Sequence, residues 1–112
     1  MENDAATWFA VSISASAFGL PVQGNVDVVV EFGDGKRYTA TFFTMDNIAQ
    51  LMARYRSTGE NAGGLYFWAA EMIIVNELSR DVITRTVEAL LADGDFYRAF
   101  VEIGSVQRQP LD

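Results

Sequence analysis

The feature that most constrains the fold is an apolar run of eleven residues, Leu65 to Val75, whose single charged residue is Glu71. Two glycines precede the run, and Asn76 follows it. Periodicity does not separate a strand from a buried helix in so short a run. The run is rich in aromatic and β-branched residues, which fit a pleated, buried surface, and glycines commonly flank strands. The composition therefore predicts a strand over the whole run, with a buried helix as the alternative.

Both faces of this predicted strand are apolar. Alternate side chains of a strand point to opposite faces. One face would carry Tyr66, Trp68, Ala70, Met72 and Ile74. The other face would carry Leu65, Phe67, Ala69, Glu71, Ile73 and Val75. A strand with two apolar faces needs cover on both. Either it lies between two layers of its own domain, or one face contacts another chain.

Composition excludes several chemistries. The chain has 112 residues, a length that predicts one domain, and it contains neither cysteine nor histidine. This excludes disulfides, thiol nucleophiles, imidazole acid–base catalysis, haem ligation and Cys/His zinc sites. The formal charge is −7. Such a charge disfavours binding to nucleic acid and favours basic partners.

The sequence predicts a cytoplasmic protein without a membrane segment, with an extracellular protein as the alternative. The first residues, Met1 to Asp4, are acidic, whereas a secretory leader begins with positive charge. The run Leu65 to Val75 is too short to cross a bilayer as a helix.

Three strands are predicted before this run: Thr7–Ala17, Asn25–Phe32 and Lys36–Phe43. In the first, apolar and small polar residues alternate, which is typical of a half-buried strand. The sequence Gly33-Asp34-Gly35 predicts a hairpin between the second and third. A three-residue loop gathers the apolar residues on one face, and it places Gly35 in a left-handed position. The predicted pairs are Val30 with Tyr38, Val28 with Ala40, Val26 with Phe42 and, on the outer face, Glu31 with Arg37.

The first predicted helix begins after Thr44, which can cap it, and ends at Gly59. An apolar stripe with helical spacing lies between these two residues and consists of Ile48, Leu51, Met52 and Tyr55. Residues 59–64 are predicted to be a flexible connector.

Two more helices are predicted after the apolar run. The second is capped by Ser79 and ends at Gly94. The third is capped by Asp95 and ends at Gly104. Its inward-facing side chains would be Phe96, Ala99, Phe100 and Ile103.

These elements predict an α+β fold with the order β-β-β-α-β-α-α. A sheet of about four strands would combine a meander of three strands with a fourth strand after a helix crossover, and two or three helices would pack on one face. The strand at 65–75 would lie at an edge, beside the first or the third strand. Residues 1–6 are predicted to be a disordered N-terminus, 7–104 a single domain and 105–112 a flexible tail.

No motif in the sequence specifies a catalytic residue, a metal ligand or a cofactor. Residues 59–64 resemble the start of a phosphate loop, but Leu65-Tyr66 replaces the required Lys and Ser/Thr. Asp93-Gly94-Asp95 resembles the start of a calcium loop but lacks the later oxygen ligands. A connector, a helix end and a cap account for these residues.

Four residues of the apolar run are candidate binding residues: Tyr66, Phe67, Trp68 and Glu71. Aromatic anchors dominate the energy of protein interfaces, although core packing is the alternative for these rings. A buried Glu71 would need a partner, which the arginines could supply, or it would have a raised pKa of the kind found at functional sites.

Two functions remain open at this stage. The leading hypothesis is a protein-interaction or binding module that forms a homodimer, of the immunity or inhibitor type if its partner is a basic protein. The alternative is a small-molecule-binding protein or a carboxylate-dependent enzyme, with Glu71 at the floor of an aromatic-lined pocket.

Overall fold

The computed structural model describes residues 9–13 and 24–105, which form an α+β fold, as predicted. The strands are β1 (Phe9–Ile13), β2 (Asn25–Phe32), β3 (Lys36–Thr44), β4 (Met72–Val75) and β5 (Val101–Ser105). The helices are α1 (Met45–Thr58), the single turn α2 (Glu60–Gly64), α3 (Arg80–Asp93) and α4 (Phe96–Ala99). The strands β1, β2 and β3 are antiparallel neighbours. On the other edge of β3, β4 pairs in parallel and β5 pairs antiparallel.

The predicted hairpin is confirmed residue by residue. Val30 pairs with Tyr38, and Glu31 pairs with Arg37. The N–H of Gly35 donates to the carbonyl of Phe32 at 2.9 Å, and Gly35 has φ +90°, the left-handed position predicted for it. The alternation of the first strand is confirmed over β1, while the rest of its predicted range, 7–8 and 14–17, lies outside the described residues. The predicted disordered end 1–6 and residues 106–112 of the predicted tail also lie outside them.

One face of the sheet forms the hydrophobic core together with α3 and α4, as expected for helices packed on one face. No residue of α1 belongs to the cluster of buried apolar side chains, which consists of Val26, Val28, Val30, Phe32, Ala40, Phe42, Val75, Leu78, Ile83, Val87, Phe96 and Phe100. The rings of Phe96 and Phe100 stack with centroids 4.4 Å apart, and Phe96 also meets Phe32 edge to face at 5.4 Å. Beside them, burial raises the pKa of Tyr38, and the charges of Glu102 and Asp34 add to this effect.

Helix boundaries follow the prediction at four residues, two caps and two glycine ends. The side chain of Thr44 accepts from the N–H of Asn47 at 3.2 Å, and that of Ser79 accepts from the N–H of Val82 at 3.1 Å. Gly59 ends α1 in a left-handed conformation. Gly94 ends α3 in the same way. Asp95 precedes α4, but its side chain makes no capping hydrogen bond.

The prediction that the third helix continues to Gly104 is wrong beyond Ala99. The chain turns extended at Phe100 and continues as β5, so Ile103 lies on a strand and is 43% exposed instead of inward on a helix. The helical spacing of apolar residues was outweighed by the backbone hydrogen bonds that β5 forms with residues 36–39 of β3.

The prediction of a strand over 65–75 is confirmed for residues 72–75 and wrong for 65–71. In the parallel register Met72 lies beside Thr41, so a longer β4 would place residues 67–71 beside residues 36–40 of β3. Antiparallel β5 already occupies residues 36–39 of that edge. The two segments compete for one edge, and the apolar run leaves the sheet upstream of Met72.

The connector at 59–64 folds into a compact left-handed turn against α1. Asn61, Ala62 and Gly63 have φ values of +50°, +56° and +74°. A Cβ added to Gly64 would lie 2.6 Å from the carbonyl oxygen of Met52 in α1. The turn therefore approaches the α1 backbone so closely that only glycine fits at position 64.

We expect Gly64→Ala to lower the free energy of unfolding more than Gly63→Ala, which is its matched control. Both residues have positive φ, which costs an alanine about 1–2 kcal/mol. Nothing lies within 4 Å of a Cβ on Gly63, whereas at Gly64 the α1 backbone must move. The difference should be about 1 kcal/mol or more. Urea denaturation followed by circular dichroism measures it, and equal losses would show that the turn does not pack on α1.

Candidate functional site

Five large apolar side chains of the central run lie exposed to solvent. They are Leu65, Tyr66, Trp68, Met72 and Ile74, and their exposed fractions are 77%, 46%, 66%, 37% and 46%. They fall within ten consecutive residues of the chain. We name this set the apolar surface. Single exposed apolar residues are common on proteins, whereas large contiguous apolar patches are typical of interaction sites.

Phe67 anchors this segment to the sheet. Its ring packs edge to face on Phe43, with centroids 5.2 Å apart, and Phe43 lies beside Ile74 in the register of β3 and β4. Asn61, in the left-handed turn, donates from its side chain to the carbonyl of Tyr66 at 3.3 Å. With Phe67 turned inward, Tyr66 and Trp68 on either side of it are left exposed.

Glu71 lies at the turn that leads into β4. It is exposed and has φ +46°, and its main-chain carbonyl accepts from the N–H of Thr41 at 2.9 Å. The turn carries the carboxylate out to solvent, which avoids the cost of burying a charge among apolar residues. Glu71 does not line the groove described next.

An open groove of about 450 Å³ runs between β4 and α3. Its apolar lining includes Val82, Ala89 and Leu90 of α3. Two opposite charges, Arg85 and Asp93, also line it. Arg85 forms an exposed ion pair with Asp81 at 3.2 Å, one turn earlier in the same helix.

The outer edge of β4 presents backbone groups to solvent. The hydrogen bond from Thr41 to the carbonyl of Glu71 sets the pattern of the parallel pair, in which alternate residues of β4 bond to β3. Ile73 therefore directs its N–H and C=O toward β3, and Met72 and Ile74 direct theirs away from it. Among the described strands, none pairs with this edge.

The structure brings together most of the residues that the sequence singled out. Tyr66 and Trp68 belong to the apolar surface, and the Phe67 ring packs inward on Phe43. Glu71 is exposed and lies between Trp68 and Met72 in the chain. Sequence reasoning did not single out Leu65, Met72 and Ile74, although the two apolar faces of the predicted strand were a signal for them. The groove depends on how α3 crosses β4, which no local pattern reveals.

The chain matches no protein-family model, no curated protein and no solved structure. Across residues 9–13 and 24–105, no helix combines the length and apolarity that crossing a membrane requires. The same residues contain no group of three or more acidic side chains placed to hold a metal ion. The features that bear on function are therefore the apolar surface, the groove and the net charge.

We expect substitutions of Glu71 to reveal a backbone role. Because φ is +46°, Glu71→Gly should leave the free energy of unfolding unchanged or raise it by up to about 1 kcal/mol, since glycine adopts this conformation freely. Glu71→Val should lower it by about 1 kcal/mol or more, because β-branched residues disfavour positive φ.

Urea denaturation of the two variants and of the parent protein measures the order of their free energies of unfolding. If a continuous buried strand ran through position 71, the order of the two variants would be reversed, because valine would then stabilise the strand and glycine would weaken it.

Proposed function

We propose that this chain is a protein-interaction module that works as a homodimer. The observation that carries the proposal is the apolar surface, five exposed large side chains within ten residues. Burying such side chains on association releases about 25 cal/mol for each Å² of apolar area. Tyrosine and tryptophan, both present here, are the residue types most enriched among the energetic centres of interfaces.

The segment that carries the surface is braced for contact with another protein. Phe67 fixes it to Phe43, and the left-handed turn holds the carbonyl of Tyr66. A braced segment loses little conformational freedom on binding, and this favours association. A lone mobile loop would lack that advantage.

The acidic charge supports a basic protein as the further partner. A net charge of −7 on 112 residues accelerates association with a positively charged protein and disfavours association with nucleic acid. An immunity or inhibitor protein that neutralises a basic target is one concrete form of this function. The homodimer would then present two acidic surfaces to such targets.

We expect the purified chain to have the mass of a dimer at tens of micromolar, and Trp68→Lys to convert it to a monomer. Trp68 is 66% exposed, so the substitution removes an interface contact without opening the core. Ala53→Lys on α1 is the matched control, because it adds the same charge at an exposed position outside the groove, α3 and the apolar surface. Light scattering after size-exclusion chromatography gives the masses of the parent protein and of the two variants. A parent protein with the mass of one chain would disprove the homodimer.

We expect the proteins that the chain captures from its native host to be basic. The chain would be immobilised, washed in steps of rising salt and analysed by mass spectrometry. Captured proteins with high isoelectric points that elute between about 0.1 and 0.5 M salt agree with charge complementarity, because exposed charge pairs are screened over this range. A retained acidic protein, insensitive to salt, would contradict a basic partner while leaving the dimer intact.

A further inference from the structure

We propose that two copies of the chain pair through the free outer edges of β4, antiparallel, about a two-fold axis that passes through Ile73. This inference rests on the proposed homodimer and specifies its geometry. An exposed edge strand is a template for another strand, because its outward N–H and C=O groups accept a second ladder of hydrogen bonds.

The outward groups determine the register. Within β4 only Met72 and Ile74 direct their backbone groups to the free edge. A two-fold axis at Ile73 places Met72 of the first copy opposite Ile74 of the second, and Ile74 of the first opposite Met72 of the second. Each pair exchanges two hydrogen bonds, so the four bonds satisfy every outward group of both strands. A two-fold axis at Ile74 would pair only the outward backbone groups of Ile74 within β4 and leave those of Met72 without a partner in the other strand.

The same register brings apolar side chains together and keeps like charges apart. Residues directly opposite in an antiparallel pair lie on the same face, so Met72 and Ile74 of both copies would form one apolar cluster. Both side chains are exposed in the single chain. Glu71 would lie opposite Val75, and no acidic residue would face another across the strands. The strand contact therefore places no two acidic side chains opposite each other, although each chain has a net charge of −7.

The groove supplies a second, self-complementary contact on the other face of the sheet. A two-fold axis makes the α3 helices of the two copies run antiparallel. Arg85 and Asp93 line the groove, and Ala89 lies midway between them. Helices that cross at Ala89, whose small side chain permits close approach, place Arg85 of each copy beside Asp93 of the other.

Proline at position 74 tests the strand pairing. Ile74→Pro removes one outward N–H from each copy and leaves the bonds to β3 intact, and edge strands tolerate proline in this orientation. Its neighbour Ile73 is extended, as the residue before proline must be, whereas Met72→Pro would follow Glu71 at φ +46°. We expect the dimer dissociation constant to rise at least about 30-fold, the loss of two hydrogen bonds. The control Ile74→Val, which keeps the N–H, should change it by less than about threefold.

Charge reversal tests the helix contact. Arg85→Glu should weaken the dimer about tenfold, and Arg85→Glu combined with Asp93→Arg should restore it, because the opposite charges again face each other across the axis. Sedimentation velocity over a concentration series gives the dissociation constants, and thermal melting of each variant verifies its fold. A double variant no tighter than the single one overturns the crossing at Ala89.

Hydrogen exchange gives an answer even if Ile74→Pro does not fold. The amides of Met72 and Ile74 in the unaltered chain should become protected as the concentration rises through the dissociation constant. Exchange that does not depend on concentration, in a protein shown to be dimeric, overturns pairing through β4 and leaves the homodimer standing. A chain that stays monomeric overturns both.

Discussion

The structure depends on how one edge of β3 is divided. A strand offers a single row of backbone hydrogen-bonding groups on each side, and β2 occupies one side of β3 along most of its length. The other side is shared, because β5 pairs with residues 36–39 and β4 with residues 41–44. Neither segment can extend without displacing the other. This sharing shortens β4 to four residues and directs the aromatic part of the central run out of the sheet.

The unusual features of the chain follow from that division. Glu71 adopts a positive φ where the chain enters β4, and it thereby carries its carboxylate to solvent. Phe67 turns back onto Phe43, which leaves Tyr66 and Trp68 exposed at its sides. Beside them β4 ends the sheet next to the groove between β4 and α3, and no strand among residues 9–13 and 24–105 pairs with its outer edge. Apolar side chains, free backbone groups and a groove thus meet along one border of the molecule.

This border and the acidic remainder of the chain suit different kinds of contact. Apolar side chains gain from leaving water whatever the charge of the partner, so they favour a close and lasting association. Charges act over longer distances, depend on salt and mainly raise the rate of encounter. A dimer held by the apolar border would keep its acidic surfaces available for a basic target.

Local chemistry in the sequence determined much of the fold. Cap residues such as Thr44 and Ser79 predicted where helices begin. The turn at Gly35 and the alternation of β2 predicted the hairpin and its register. Each of these signals depends on neighbours within a few residues. The aromatic residues of the central run made Tyr66 and Trp68 candidate contacts. Only the tertiary structure decided that residues 65–71 leave the sheet and that the chain after Phe100 becomes a strand. Those outcomes depend on two distant segments competing for the same hydrogen-bonding edge, and neither segment carries a local signal of the other.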